Sequence, residues 1–273
     1  MDGLAAFLDA EPALVLVEIV NVKGSAPRET DAFMLVGPRA LFGTIGGGQL
    51  EYLAIDEARR LLTSGDGPLL RDVPLGPAIG QCCGGRVSLR LSRLDETARA
   101  AFLAGKVAEA EAWPRILLFG AGHVGKALAQ ALAPLPLRLC VIESRAEELD
   151  SLPSGIDRRL TPLPEAEIDA ADAGSVILIL THDHALDFLI AARALARGDF
   201  AYVGMIGSAT KRASFRRYAR EEGLSPSQSD RLTLPIGGSA VRDKRPAVIA
   251  ALTAAEILTV LAQAPANATL GAR

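Results

Sequence analysis

The chain reads as an α/β protein in two parts, a small mixed α/β N-terminal domain followed by a doubly wound parallel sheet. Three observations predict this. In the N-terminal part, short apolar runs are bounded by Gly, Pro and charged residues, as short strands are. From Arg115 onward, apolar strands alternate with turns and helices, the pattern of βαβ units. Between them, "DETARAAFLAGKVAEAEAWP" (95–114) reads as a bridging helix, which gives domains of 1–110 and 111–273.

The elements follow in order. "ALVLVEIV" (13–20), "AFMLVG" (32–37) and "ALFGTI" (40–45) are strand runs. "QLEYLAIDEARRLLTSG" (49–65) carries apolar residues at Leu50, Leu53, Ala54, Ala58, Leu61 and Leu62, which is helical spacing, and Gly65 is its stop. "PLLRDVPLG" and "GRVSLRL" are two more strands. In the second part, "RILLFGAGHVGKALAQALA" is a strand, a glycine turn and a helix, and "LRLCVIESR" is the next strand. "GSVILIL" (174–180) is continuously apolar, so it is buried on both faces. "FAYVGMIG" (200–207) and "RLTLPIGG" (231–238) complete the strands, with helices at about 186–197, 209–222 and 245–262.

Composition narrows the class. The 273 residues are 49% apolar and 22% charged, with a net charge of −3, a soluble globular balance that excludes a global nucleic-acid surface. No apolar run approaches the ~20 residues of a membrane helix, and "MDGLAAFLDAEP" lacks the basic stretch of a secretory signal. Three cysteines make no disulfide framework. The expectation is a cytoplasmic protein with reduced thiols, bound to neither nucleic acid nor membrane.

Two glycine loops run from strand to helix. "GAGHVG" places Gly120, Gly122 and Gly125 in G-x-G-x-x-G order, and Glu143 ends the next strand, 18 residues beyond Gly125. This is a Rossmann-type arrangement: glycines for a tight turn, a close approach to pyrophosphate and close helix packing, with Glu143 suited to a ribose diol. A dinucleotide is therefore a candidate cofactor at this turn. "IGGGQLE" (45–51) is the second loop, where Gly46, Gly47 and Gly48 precede Gln49 and Glu51; its amides suit an anion.

Other reactive residues gather at predicted strand ends. His123 lies inside the first glycine turn, and His182 and His184 follow a strand in "THDH" (181–184). The carboxyl ends of parallel strands are where such sheets bind ligands. His182 and His184 would share one face of an extended segment, with Asp183 opposite. Ser208 opens a helix whose first turn holds Lys211 and Arg212, an unusual place for cations unless they face an anion. Cys82 and Cys83 sit side by side in "GQCCGG", next to Gln81. The pair admits a small apolar core, a vicinal disulfide, a zinc site or a soft-ligand or sulfur-carrying thiol; the glycine-rich, polar loop favours the last. "GSAPR", which contains Arg28, is expected to converge with "GGGQLE" and "GQCCGG" on the rim that holds the three histidines.

Seven segments in order, "VKGSAPRETDAFMLV", "GTIGGGQLE", "LGPAIGQCCGGRVSL", "LLFGAGHVGKAL", "THDHALDF", "YVGMIGSATKRASF" and "LTLPIGG…KRPAVIAALTAAEIL", resemble the XdhC/CoxI family of xanthine dehydrogenase accessory proteins over roughly residues 13 to 262. "PIGGSAVRDKRP" is longer and more basic than the family's usual glycine turn. The resemblance implies an accessory factor rather than a catalyst, one that binds the molybdenum cofactor (molybdopterin). It implies that the cofactor is held during sulfuration by a cysteine desulfurase, then inserted into xanthine dehydrogenase. Arg28, Gly46, Gly47, Gly48, Gln49, Glu51, Gln81, Cys82, Cys83, Gly120, Gly122, His123, Gly125, Glu143, His182, His184, Ser208, Lys211 and Arg212 then become candidate cofactor contacts, with Cys82 and Cys83 as molybdenum ligands. A homodimer is a further candidate assembly. Two other readings stand beside this one: an NAD(P)-dependent oxidoreductase, and a metal-dependent enzyme built on the three histidines.

Overall fold

The computed structural model describes residues 2–65, 67–76 and 84–263. The chain divides into two compact units, one ending at Ala108 and the next beginning at Glu109.

The first unit is a five-stranded antiparallel sheet in the order β3-β2-β1-β5-β4. Its elements are α1 (Asp2–Ala10), β1 (Leu14–Lys23), β2 (Phe33–Val36), β3 (Leu41–Gly43), α2 (Gly48–Ser64), β4 (Leu69–Pro74), β5 (Arg86–Leu94) and α3 (Glu96–Glu111), whose last residues cross the division. Alternation along β1 and β5 sends side chains to both faces. On one face Val15, Val17, Met34, Val87, Leu89 and Leu91 pack under Leu50, Ala54, Ala58 and Leu61 of α2. On the other, Leu14, Leu16, Leu35 and Leu94 meet Leu4 and Leu8 of α1, with Phe102 and Leu103 of α3 beside them. Burying Leu4 and Leu8 contributes about 1.5–3 kcal/mol each, which holds α1 on the sheet although its run of nine residues is too short to be stable alone.

The second unit is a six-stranded parallel sheet in the order β11-β10-β9-β6-β7-β8. In chain order it comprises β6 (Arg115–Phe119), α4 (His123–Leu132), β7 (Arg138–Glu143), α5 (Ala146–Asp150), β8 (Asp157–Leu160), β9 (Val176–Ile179), α6 (His184–Arg197), β10 (Tyr202–Met205), α7 (Ala209–Glu221), α8 (Pro226–Asp230), β11 (Leu232–Thr233) and α9 (Pro246–Gln263). This is the Rossmann strand order, and the order reverses between β6 and β9, where such sheets open a crevice at their carboxyl ends. Ile116, Leu118, Val176 and Leu178 pack against α4 and α9. Leu117, Phe119, Ile177 and Ile179 pack against α6 and α7. The continuous apolar runs of β6 and β9 are thus covered on both faces, as parallel strands require.

One expectation needs correcting. No apolar run was expected to reach span length, yet α9 is long and apolar enough, by length and composition, to cross a membrane. Its Ala250, Ala254, Ile257 and Leu261 stripe is buried in the parallel-sheet core, a place that also calls for an apolar helix.

Candidate functional site

The turn after β6 gives its three glycines three different tasks. Gly120 has φ +105°, and a Cβ there would lie 2.3 Å from the Leu180 carbonyl oxygen and 2.9 Å from the Thr181 nitrogen. Gly125 has the carbonyl oxygen of Gly120 2.1 Å from its own Cβ position, so the helix lies directly on the turn. Gly122 differs from both: its φ is −68° and nothing lies within 4 Å of where its Cβ would be. It forms the N-cap of α4, no side chain caps the helix, and the first turn holds no acid. Free amide hydrogens of a helix start face an open approach there, an arrangement suited to an anion.

Glu143, at the end of β7, is 3% exposed and already engaged. One carboxylate oxygen accepts from the Ala121 amide at 2.9 Å and from Nη2 of Arg145 at 3.0 Å. The other accepts from the Ser144 amide at 2.9 Å and from Nε of Arg145 at 3.2 Å. Arg145 also pairs with Glu148 at 3.2 Å, and Glu148 with Lys126 at 2.5 Å. Burial alone would raise the Glu143 pKa; hydrogen bonds from Arg145, Ala121 and Ser144, with the Arg145 charge, outweigh it and bring the pKa from 4.5 down to about 2. A depressed carboxylate stabilises the fold above its free value, and that contribution is lost as pH falls from 4.5 through about 2. Glu143→Gln is therefore expected to cost about 3 kcal/mol at neutral pH. The cost should vanish near pH 2. Urea unfolding of both chains at the two pH values checks this; an equal difference at both removes charge from the explanation.

The turn after β9 departs from the sequence expectation. Asp183 caps α6, its carboxylate accepting from the Ala185 amide at 2.8 Å, so His184 is the first helical residue and not part of an extended segment. His123, His182 and His184 are all exposed at the carboxyl ends of β6 and β9. Among the described residues no group of three or more His, Cys, Asp or Glu side chains is placed to hold a metal ion. The residue that sequence reasoning missed is Asp187. It is fully buried, accepts from the amide and hydroxyl of Thr181 at 2.9 and 2.7 Å, and pairs with Nζ of Lys211 at 2.5 Å. An acid four residues after an N-cap Asp was its only sequence signal. The anion that Lys211 faces is thus one of the chain's own side chains. Arg212 likewise donates to the Leu232 and Leu234 carbonyls, and Ser208 caps α7, accepting from the Lys211 amide at 3.4 Å.

In the first unit, the glycine triplet carries its own anion. Gly46, Gly47 and Gly48 have φ values of +124°, +83° and +68°. Glu51 folds back over them, accepting from the Thr44 hydroxyl and from the Ile45 amide at 3.0 Å. Burial would raise its pKa, but the Thr44 hydroxyl and the amides of Gly47, Ile45 and Gly46 bring it below 4.5. Gln49 and Arg28 are exposed. The "GSAPR" segment meets this loop, since a Cβ on Gly46 would lie 2.6 Å from Pro27. It also meets the end of the cysteine loop: a Cβ on Gly85 would lie 2.1 Å from the Ser25 carbonyl oxygen. The amides of Leu75 and Gly84 fix the base of that loop by donating to the Gly85 and Leu75 carbonyls, each at 2.8 Å. Gln81, Cys82 and Cys83 lie outside the described residues.

Residues 116–257 match the XdhC Rossmann domain, and residues 7–72 match the XdhC and CoxI family. The chain is 29% identical over 262 residues to the uncharacterized protein YqeB of Escherichia coli (strain K12), covering 92% of this chain and 44% of that protein. It therefore spans less than half the length of that relative. A crystal structure from Bacillus halodurans, described as a xanthine dehydrogenase, has a TM-score of 0.79 at 17% identity over 97% of both chains, a likeness of fold. The Rossmann match alone runs over half of the sequence, from β6 through the glycine turn and the Asp187–Lys211 pair into α9: the chain is a member of the XdhC/CoxI family.

Proposed function

We propose that this chain is a maturation factor for xanthine dehydrogenase. It binds the molybdenum cofactor, a pterin dithiolene with a phosphate, keeps it while a cysteine desulfurase supplies the terminal sulfido ligand, and hands it to the enzyme. The observation that carries this reading is the start of α4, an uncapped, acid-free helix end beside an open Gly122. That feature fits the phosphate of the cofactor. The amide hydrogens of residues 122–124 hold it, and His123, exposed on the same turn, offers a hydrogen bond to the rest of the ligand. When bound, the cofactor supplies the redox chemistry of the recipient enzyme. This chain's part is to bind, orient and release. Cys82 and Cys83 provide soft sulfur, which suits molybdenum or the carriage of sulfane sulfur. The partners on this reading are xanthine dehydrogenase, a cysteine desulfurase and a second copy of the chain, in the cytoplasm.

The test is the ligand itself. Protein purified from a molybdenum-replete host under anaerobic conditions is expected to carry molybdenum by elemental analysis and pterin by fluorescence after acid oxidation. Cys82→Ala or Cys83→Ala should lower cofactor retention, or activation of cofactor-depleted xanthine dehydrogenase, by about tenfold while leaving Tm unchanged. Wild-type protein with neither molybdenum nor pterin sinks the reading. Two cysteine variants that activate fully remove the thiols from it.

A further inference from the structure

A Rossmann turn ordinarily implies a dinucleotide whose ribose diol is held by the acid ending the second strand. The residues here do not fit that group. We propose that Glu143 and Arg145 form an internal clamp that closes the ribose position, making Glu143 a positioning residue for the glycine turn and Arg145 the residue that denies the turn a nucleotide sugar. This stands whether or not the molybdenum reading holds.

A carboxylate offers about four acceptor positions. Those of Glu143 are taken by the amides of Ala121, Ser144 and Arg145, at 2.9, 2.9 and 3.3 Å, and by two bonds from the Arg145 guanidinium, at 3.2 and 3.0 Å. No acceptor remains for a diol. A bond to the Ala121 amide ties the acid to the turn itself, so its task is to hold that turn in shape. Arg145 is held from its other side as well, paired with Glu148 at 3.2 Å, and Glu148 is itself paired with Lys126.

Nor does the cluster leave a cation for the 2′-phosphate of an NADP-type ligand. Arg145 and Lys126 stand against Glu143 and Glu148, two charges of each sign, and the charge of Glu147 acts on Arg145 as well. A 2′-phosphate meets a neutral or slightly negative group at the place where its receptors elsewhere present arginine.

The experiment titrates the full chain with NADH, its analogue lacking the adenosine 2′-hydroxyl, and NADPH, reading nicotinamide fluorescence. The wild-type chain is expected to treat all three alike. Arg145→Met keeps the packing of the stem but frees the carboxylate. It should acquire a preference of about tenfold for NADH over the deoxy analogue, the effect of a charge-assisted hydrogen bond, and adding Glu143→Gln should abolish that preference. Arg145→Ala serves the same purpose if the methionine variant does not fold. Amide exchange provides the second readout: Glu143→Gln should speed exchange at Ala121 by more than the fall in global stability speeds it in the rest of the parallel sheet. A wild-type chain that prefers NADH over its deoxy analogue by tenfold or more, or that binds NADPH selectively, overturns the clamp. A folded Arg145 variant that still fails to discriminate overturns Arg145 as the closing residue.

Discussion

Asp187→Ala is expected to destabilise the chain by about 3–5 kcal/mol, because breaking a buried ion pair from one side leaves the other charge without compensation. The side chain of Lys211 is 9% exposed and that of its Asp187 partner is not exposed at all. Removing the carboxylate also strips the Thr181 amide of its acceptor, whereas the Thr181 hydroxyl keeps the Asp183 carbonyl at 2.8 Å. The orphaned amide adds its own desolvation cost. The pair ties the turn after β9 to the start of α7, so the loss should appear in global unfolding by urea and not in one frayed helix. A paired replacement, Asp187→Leu with Lys211→Met, removes both charges and should recover most of the stability. If Asp187→Ala costs under about 1 kcal/mol, the pair is a surface-like contact and its burial means little.

Gly120→Ala is the second large effect. A methyl there lies 2.3 Å from the Leu180 carbonyl oxygen, on a backbone with φ +105°. Strained φ costs about 1–3 kcal/mol and overpacking about as much again, so a loss of roughly 3 kcal/mol or more is expected in thermal or urea unfolding. Gly122→Ala provides the contrast. Its φ is −68° and its Cβ would meet nothing within 4 Å. That variant should melt within about 1 kcal/mol of wild type and, on the proposed function, retain less molybdenum and pterin, since the methyl stands in the open approach to the helix start. Equal melting losses in the two variants would falsify the separation of a structural glycine from a ligand-facing one.

Much of the fold was legible because burial leaves a pattern. β6 and β9 are apolar at nearly every position, and β5 alternates as far as Leu91, so each run gave away its sheet environment. β8 left no such trace: Asp157, Arg158, Arg159 and Leu160 are all exposed on an edge strand, and the sequence there resembles a loop. α1 escaped notice because only Leu4 and Leu8 are buried along it, too few to establish a period. The candidate site was legible by place but not by partner. Lys211, Arg212, Glu51 and Glu143 stand at the loop and helix ends where ligands bind, yet each turns to another group of its own chain. Residue type shows that a charge must be answered; only the side chain's direction shows by what. Asp187 was invisible for the same reason, an ordinary acid in a helix until the fold buries it against Lys211.

The strand order of the parallel sheet also sets a timetable for synthesis. All five strands of the antiparallel sheet have been made once Leu94 leaves the ribosome. β6 follows, but it sits between β7, made next, and β9, made only after β8. The glycine turn presses against Leu180 and Thr181, just beyond β9. A nascent chain that has translated "GAGHVG" therefore has a turn with one wall missing, and Asp187 and Lys211, which fasten the facing turn, arrive later still. Chains fold from the N-terminus as they emerge. A ribosome stalled before residue 181 should thus hold a finished N-terminal unit and an unshaped glycine turn, so that capture of any ligand at this turn waits until β9 and the residues that follow it have emerged.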